Sequence, residues 1–155
     1  MSTEEISYFS GGVELLDLIQ PLWEQLNQHH AALSPHFASE FQAKRFSERK
    51  AKLLKKYASD QLRVDLCQAQ DSPIGYLISA TTADGIGEIE SIFVAAEFRG
   101  QGIANELMQR ALNWLDFQGV HTKVIAVAVG NERAYAFYER FGFYPRLTML
   151  QQKGP

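Results

Sequence analysis

The sequence predicts a single-domain α/β sandwich, a mixed and mostly antiparallel sheet flanked by about four helices. Three observations carry this. Apolar residues recur at helical spacing through the first third of the chain. They then alternate with polar ones at a period of two, and the final third runs strand, helix, strand, helix, strand. No repeat, low-complexity tract or linker divides the 155 residues, so one domain spans 1–155.

Residues 6–9 form a short β-prone run that Ser10-Gly11-Gly12 ends. Over 13–33, Leu15, Leu16, Ile19, Trp23 and Leu26 draw a helical stripe, with a kink or restart that puts Pro21 in a first turn. A second helical region over 37–58 holds Phe37, Phe41, Leu53, Leu54 and Tyr57 among many basic residues. Leu62, Val64 and Leu66 alternate with Arg63, Asp65 and Cys67, as a half-buried strand requires. Residues 73–82 and 87–94 continue as strands joined through Ala83-Asp84-Gly85. The clearest helix is 102–119, with Ile103, Leu107, Met108, Ala111, Leu112 and Leu115 on one face and Gly119 as its stop. The β-branched run 124–129 predicts a strand covered on both faces. A short helix over 132–140 and a last strand over 144–151 complete the chain.

Charge is unevenly placed. Net charge is −3, yet residues 1–43 carry six acids and no Lys or Arg, whereas 44–56 carry seven of the fifteen basic residues. The balance excludes a dedicated nucleic-acid binder, and the basic run reads as a solvated helix face. No apolar stretch is long enough to span a bilayer, and the start of the chain lacks a secretory pattern. The single cysteine, Cys67, excludes an internal disulfide and predicts a reducing, cytoplasmic setting with a structural thiol. His29, His30, His36 and His121 have no metal-ligand spacing, so no metal is expected.

Two segments carry chemistry. In the first, a strand enters the loop Arg99-Gly100-Gln101-Gly102-Ile103-Ala104, which opens an amphipathic helix. Unpartnered N–H groups and the helix dipole favour an anion there, and glycines let backbone approach a phosphate closely. The lysine of a nucleoside-triphosphate loop and the third glycine of a dinucleotide loop are both missing. In the second segment, Asn131 stands before a helix containing Phe137 and Tyr138 that Gly142 ends. By residue type alone, Asn131 reads as a helix cap and Tyr138 as a core aromatic.

Taken together, Arg99-x-x-Gly102-x-Ala104 and the later Asn131-x-x-Ala134-x-x-Phe137-Tyr138-x-x-x-Gly142-Phe143 resemble the GNAT superfamily, the GCN5-related N-acetyltransferases. The resemblance is strong over 74–147 and rests on element order alone before residue 60. It implies the GNAT fold and acetyl-CoA as cosubstrate. Backbone N–H groups of Arg99, Gly100, Gln101, Gly102, Ile103, Ala104 and Asn105 would cradle the pyrophosphate. The backbone of Ile92, Phe93 and Val94 would pair with the pantetheine arm, one amide of Phe93 or Val94 polarising the acetyl carbonyl. Asn131 matches a residue near the pantetheine, and Tyr138 the general acid that protonates the departing thiolate. The segment around Glu90 is similar to the diamine acetyltransferase branch, which makes Glu90 the base through water, with Glu88 as its substitute. Ala96 and Phe98 depart from the family's proline and tyrosine without removing a side chain the chemistry needs.

The implied activity is direct acetyl transfer to a primary amine of a small molecule, a cationic one where the acidic first third and Glu88 and Glu90 attract it. A protein N-terminus or lysine is the alternative acceptor, and a non-catalytic acyl-CoA-binding module the alternative class. A homodimer is a family expectation. The basic run is assigned to solvent, to the CoA 3′-phosphate or to a partner.

Overall fold

The computed structural model describes residues 5–154. One five-stranded sheet has the order β1 (Ile6–Gly11), β2 (Leu62–Ala69), β3 (Ser72–Thr81), β4 (Ile86–Val94) and β5 (Thr122–Ile125). All neighbours are antiparallel except β4 and β5, which run parallel. Two apolar layers sandwich the sheet. On one face, a 3-10 turn (Val13–Ile19), α1 (Gln20–Leu33), α2 (Ala38–Ala43) and α3 (Phe46–Lys56) bury Leu16, Ile19, Trp23, Phe46, Leu53 and Tyr57 against Leu66, Tyr76 and Phe93. On the other, α4 (Ile103–Phe117) and α5 (Ala134–Glu139) bury Leu107, Met108, Ala111, Leu115 and Tyr138 against Leu77 and Ile89. The stripe predicted for the 102–119 helix is this buried face.

Local chemistry sets the boundaries. The first helical stripe breaks where expected, α1 restarting with Pro21 in its first turn. The region 37–58 is two helices, because Lys44 and Arg45 adopt extended backbone between α2 and α3. Gly102 (φ 80°) opens α4 and Gly119 (φ 76°) follows its end, both in the left-handed region that favours glycine.

Two expectations at the C-terminal end are overturned. Residues 143–154 form no strand, and Leu147, Met149 and Leu150 are more than four-fifths exposed. β-propensity stabilises a strand only where a ladder partner exists, and among the described residues no strand pairs with this segment. The run 124–129 is consequently not covered on both faces: β5 stops at Ile125 on the sheet edge, and Val124 and Val129 are exposed.

Residues 126–133 leave β5, and Gly130 meets the last residue of α1. Gly130 (φ 102°) lies so close to Leu33 that a Cβ would stand 2.3 Å from the Leu33 carbonyl oxygen. Gly130→Ala adds left-handed strain to a backbone collision, so it is expected to cost about 2–3 kcal/mol. Thermal denaturation should show a fall of about 5–10 °C; an unchanged Tm would mean that this approach is not a stable contact.

Candidate active site

The site lies where β4 and β5 part. Their register pairs Ile86 with Thr122 through Ile89 with Ile125 and ends there, so Glu90–Val94 has no neighbour on that side. The opening is a cavity of about 440 Å³ walled by β4, residues 125–128, Asn131, Tyr138 and side chains of α1 and α3. Of the residues selected from sequence, Glu90, Ile92, Asn131 and Tyr138 line it, whereas the 99–105 loop does not. Phe93 and Val94 are buried in opposite layers.

A β-bulge aims Glu90. Ile78 pairs with Ser91 and Ser79 with Ile89, which leaves Glu90 as the extra residue of β4. Two residues instead of one therefore separate Ile89 and Ile92, both on the α4 layer. Glu90 and Ser91 turn together toward α1 and α3, where Ser91 bonds Tyr76 at 2.6 Å. The Glu90 carboxylate, 7% exposed, pairs with Arg49 at 2.9 Å and Lys56 at 3.1 Å. It also accepts a hydrogen bond from the Tyr57 hydroxyl. Burial alone would raise its pKa; the Tyr57 bond, the neighbouring Glu88 and Arg49 outweigh that and bring it down to about 2. Lys56 also reaches Glu88 at 3.0 Å.

The loop after β4 has the form of an anion cradle. Gly100 (φ 81°) and Gly102 (φ 80°) are both left-handed, with no atom near the position of a Cβ. Among the described residues, no protein acceptor takes the backbone N–H groups of residues 100–105. Six successive free donors thus stand at the positive end of the fifteen-residue α4. The Arg99 side chain is engaged within the protein. Its Nε donates to the Val94 carbonyl at 3.0 Å, and its guanidinium lies over Phe93, bracing the loop against β4. Asn105 accepts from Arg140 at 2.8 Å, tying the cradle to α5.

Asn131 does not cap α5 with its side chain; Arg133 occupies the cap position with no side-chain bond. The Tyr138 ring packs edge-on against Phe137 at 5.3 Å. Its hydroxyl has no hydrogen-bond partner among the described residues, and burial alone pushes its pKa up to about 12. Cys67 is buried and unpaired, as a structural thiol should be. The described residues contain no cluster of three metal-ligating side chains, and none of their helices is long and apolar enough to cross a membrane.

Sequence reasoning missed the α3 wall. Most of the basic run is exposed, as expected of a solvated face, but it also works inward: Arg49 and Lys56 hold the β4 carboxylates, Lys50 pairs with Asp17 at 2.7 Å, and Lys44, Arg45 and Lys52 line the cavity. The signal lay in the spacing. Arg45, Arg49, Lys52 and Lys56 follow one another at four, three and four, a single helical stripe. The acidic first third plays no comparable part, since none of its described acids lines the cavity.

The family model for the acetyltransferase (GNAT) family matches residues 23–143. The chain belongs to that family. Over 70 residues it is 43% identical to N-alpha-acetyltransferase 30 of Schizosaccharomyces pombe, covering 44% of this chain and 47% of that one. It is 32% identical over 84 residues to an uncharacterized N-acetyltransferase of Methanocaldococcus jannaschii, covering 50% and 37%. The chain therefore spans half or less of these curated relatives. Among solved structures, the GCN5-related N-acetyltransferase of Ralstonia eutropha JMP134 superposes with a TM-score of 0.74 at 17% identity, over 96% of this chain and 98% of that one. The aminoglycoside N-acetyltransferase AAC(6')-Iy in complex with CoA gives 0.69 at 16% identity, over 99% and 98%. At these identities the structural likeness establishes the fold.

Proposed function

We propose that this GNAT domain transfers the acetyl group of acetyl-CoA to a primary amine by direct attack within a ternary complex. The observation that carries the reading is a continuous path along β4. It runs from six unpaired amides at 100–105, past the unpartnered edge of the strand, to a cavity holding Glu90 and Tyr138.

The cradle fits the pyrophosphate of CoA through its N–H groups. The β4 edge fits a pantetheine arm, because an amide-bearing chain can hydrogen-bond where β5 has left. The Ala95 N–H donates to Ile74 of β3 at 2.8 Å, so strand alternation turns the amides of Val94 and Ile92 the other way, into the gap. Val94 is accordingly the amide to polarise the acetyl carbonyl. The amine nitrogen bonds to the carbonyl carbon as the carbon–sulfur bond breaks. Tyr138, protonated throughout the physiological range, gives its proton to the leaving sulfur and regains one from solvent.

Glu90 receives a narrower role than that of an unaided base. A carboxylate with a pKa near 2 is a poor final acceptor for an ammonium proton. It orients the amine and a water, and the proton passes through that water to solvent. The reactive species is then the amine that is already neutral. With different primary amines, kcat/KM should rise about tenfold per pH unit up to each amine's own pKa, near 8 for an α-amine and 10 for an alkylamine. The cause is acceptor ionisation, since Glu90 stays charged and Tyr138 protonated across that range. A rising limb fixed at one pH for every amine would overturn this role for Glu90.

A cavity of this size accommodates a small amine, which supports a small-molecule acceptor. The identity to N-alpha-acetyltransferase 30 favours a second reading, a peptide N-terminus. Amine-dependent release of CoA thiol, followed with a panel of small amines and short peptides, tests both, and a domain that binds acyl-CoA without catalysis would release none. The single, buried Cys67 supports a reducing cytoplasmic setting.

A further inference from the structure

The acceptor side of the cavity carries surplus positive charge. Its charged lining is Lys44, Arg45, Glu48, Arg49, Lys52, Glu88 and Glu90. Glu88 and Glu90 are already engaged by Lys56 and Arg49. Among the described residues, no carboxylate lies within ion-pair distance of Lys44, Arg45 or Lys52. Within the lining only Glu48 offsets these three, and Glu40 of α2 acts on Lys44 from outside it, so the wall keeps a positive surplus. His30 adds none, because burial holds its pKa at about 4. Lys44 is crowded by the same field: burial, then Arg49 and Lys52, lower its pKa, and its ammonium rests 4.6 Å from the Phe41 ring centre.

A free cationic amine entering this wall meets like charges, and the carboxylates that would welcome it are occupied. A diamine or polyamine is therefore poorly matched. We propose that the acceptor is a primary amine that also bears an anionic group, a carboxylate or phosphate, which seats among Lys44, Arg45 and Lys52 while the amine faces Glu90. This rests on the acetyltransferase reading above and names its substrate class. The shared chemistry occurs in a small amino acid and in a peptide N-terminus followed by acidic residues. Lys44 and Arg45, in the break between α2 and α3, and Lys52, one α3 turn beyond Glu48, are then specificity determinants.

The test compares two matched series by acetyl-CoA-dependent thiol release, with rates expressed per neutral amine. One series is β-alanine, β-alanine amide and 1,3-diaminopropane; the other is a set of tetrapeptides differing only in acidic, amide or basic residues after the first. The anionic member should lead its cationic counterpart by about tenfold in kcat/KM, the combined effect of several screened charge pairs. The lead should shrink at about 0.5 M salt, where the Debye length falls below the span of the site. Whichever series turns over faster separates the small-molecule source from the peptide. In R45E/K52E, one position exposed in the break before α3 and the other exposed on α3, the ranking should reverse while the far-ultraviolet spectrum and Tm stay near native. A wild-type enzyme that prefers the cationic members, or a ranking unmoved in R45E/K52E, overturns the inference and leaves the acetyltransferase reading standing. No thiol release with any member overturns both.

Discussion

Tyr138→Phe is expected to lower kcat by about 10²-fold or more while changing the acetyl-CoA affinity less than about twofold. The split follows from what the hydroxyl does. It makes no hydrogen bond among the described residues, so its removal leaves no partner unsatisfied. The ring, 9% exposed and packed against Phe137, is retained in phenylalanine, so the fold and the cavity wall are preserved. What is lost is a proton donor that burial keeps protonated to about pH 12. The departing thiolate would then wait for a proton from water, and that delay falls on the chemical step. Steady-state kinetics with acetyl-CoA titrations by calorimetry separate the two quantities. An unchanged kcat would assign thiolate protonation to water instead.

The second large effect belongs to the cradle. Gly100→Ala and Gly102→Ala each place a Cβ on a left-handed residue, at a cost of about 1–2 kcal/mol for holding that conformation. Nothing surrounds either position, so the free protein relaxes its exposed loop and its Tm moves little. In the proposed function, binding requires the six amides to converge again, and the strain reappears there. Each substitution should weaken acetyl-CoA by about tenfold, and the pair by about 10²-fold. The protection against thermal unfolding that acetyl-CoA gives the parent protein should be largely lost. Full retention of that protection in the double variant would show that the pyrophosphate is held elsewhere.

Much of this was legible in the chain. The 102–119 stripe, the Pro21 restart and the period-two strands are local signals, and the elements formed within a few residues of them. The 99–105 loop was legible as an anion site from its glycines before an amphipathic helix together with the Asn131–Phe143 segment, and Gly100 and Gly102 adopt the left-handed backbone that such a loop uses. Glu90 was legible as a residue but not as a geometry. Its direction depends on a bulge defined by pairing with β3, and its proton affinity on Arg49, Lys56 and Tyr57 from a distant helix. Those couplings are long-range and leave no mark in the β4 sequence. The basic run reads as solvated, and most of it is exposed, but its place at the cavity was missed because its charges were counted and their spacing was not. The final strand failed for the opposite reason: local β-propensity at 144–151 was real, but a strand is completed by its neighbour, and β5 has none on its outer edge.

In the function proposed above, the β4 edge, the cradle and the α3 wall jointly serve direct transfer between two substrates held together. The decisive measurement is an initial-rate matrix in which acetyl-CoA and the best amine of the panel are varied independently. Double-reciprocal lines should intersect, as a ternary complex requires. A parallel set, accompanied by an acetylated protein formed without amine, would mean that the acetyl group passes through the enzyme and would contradict direct transfer.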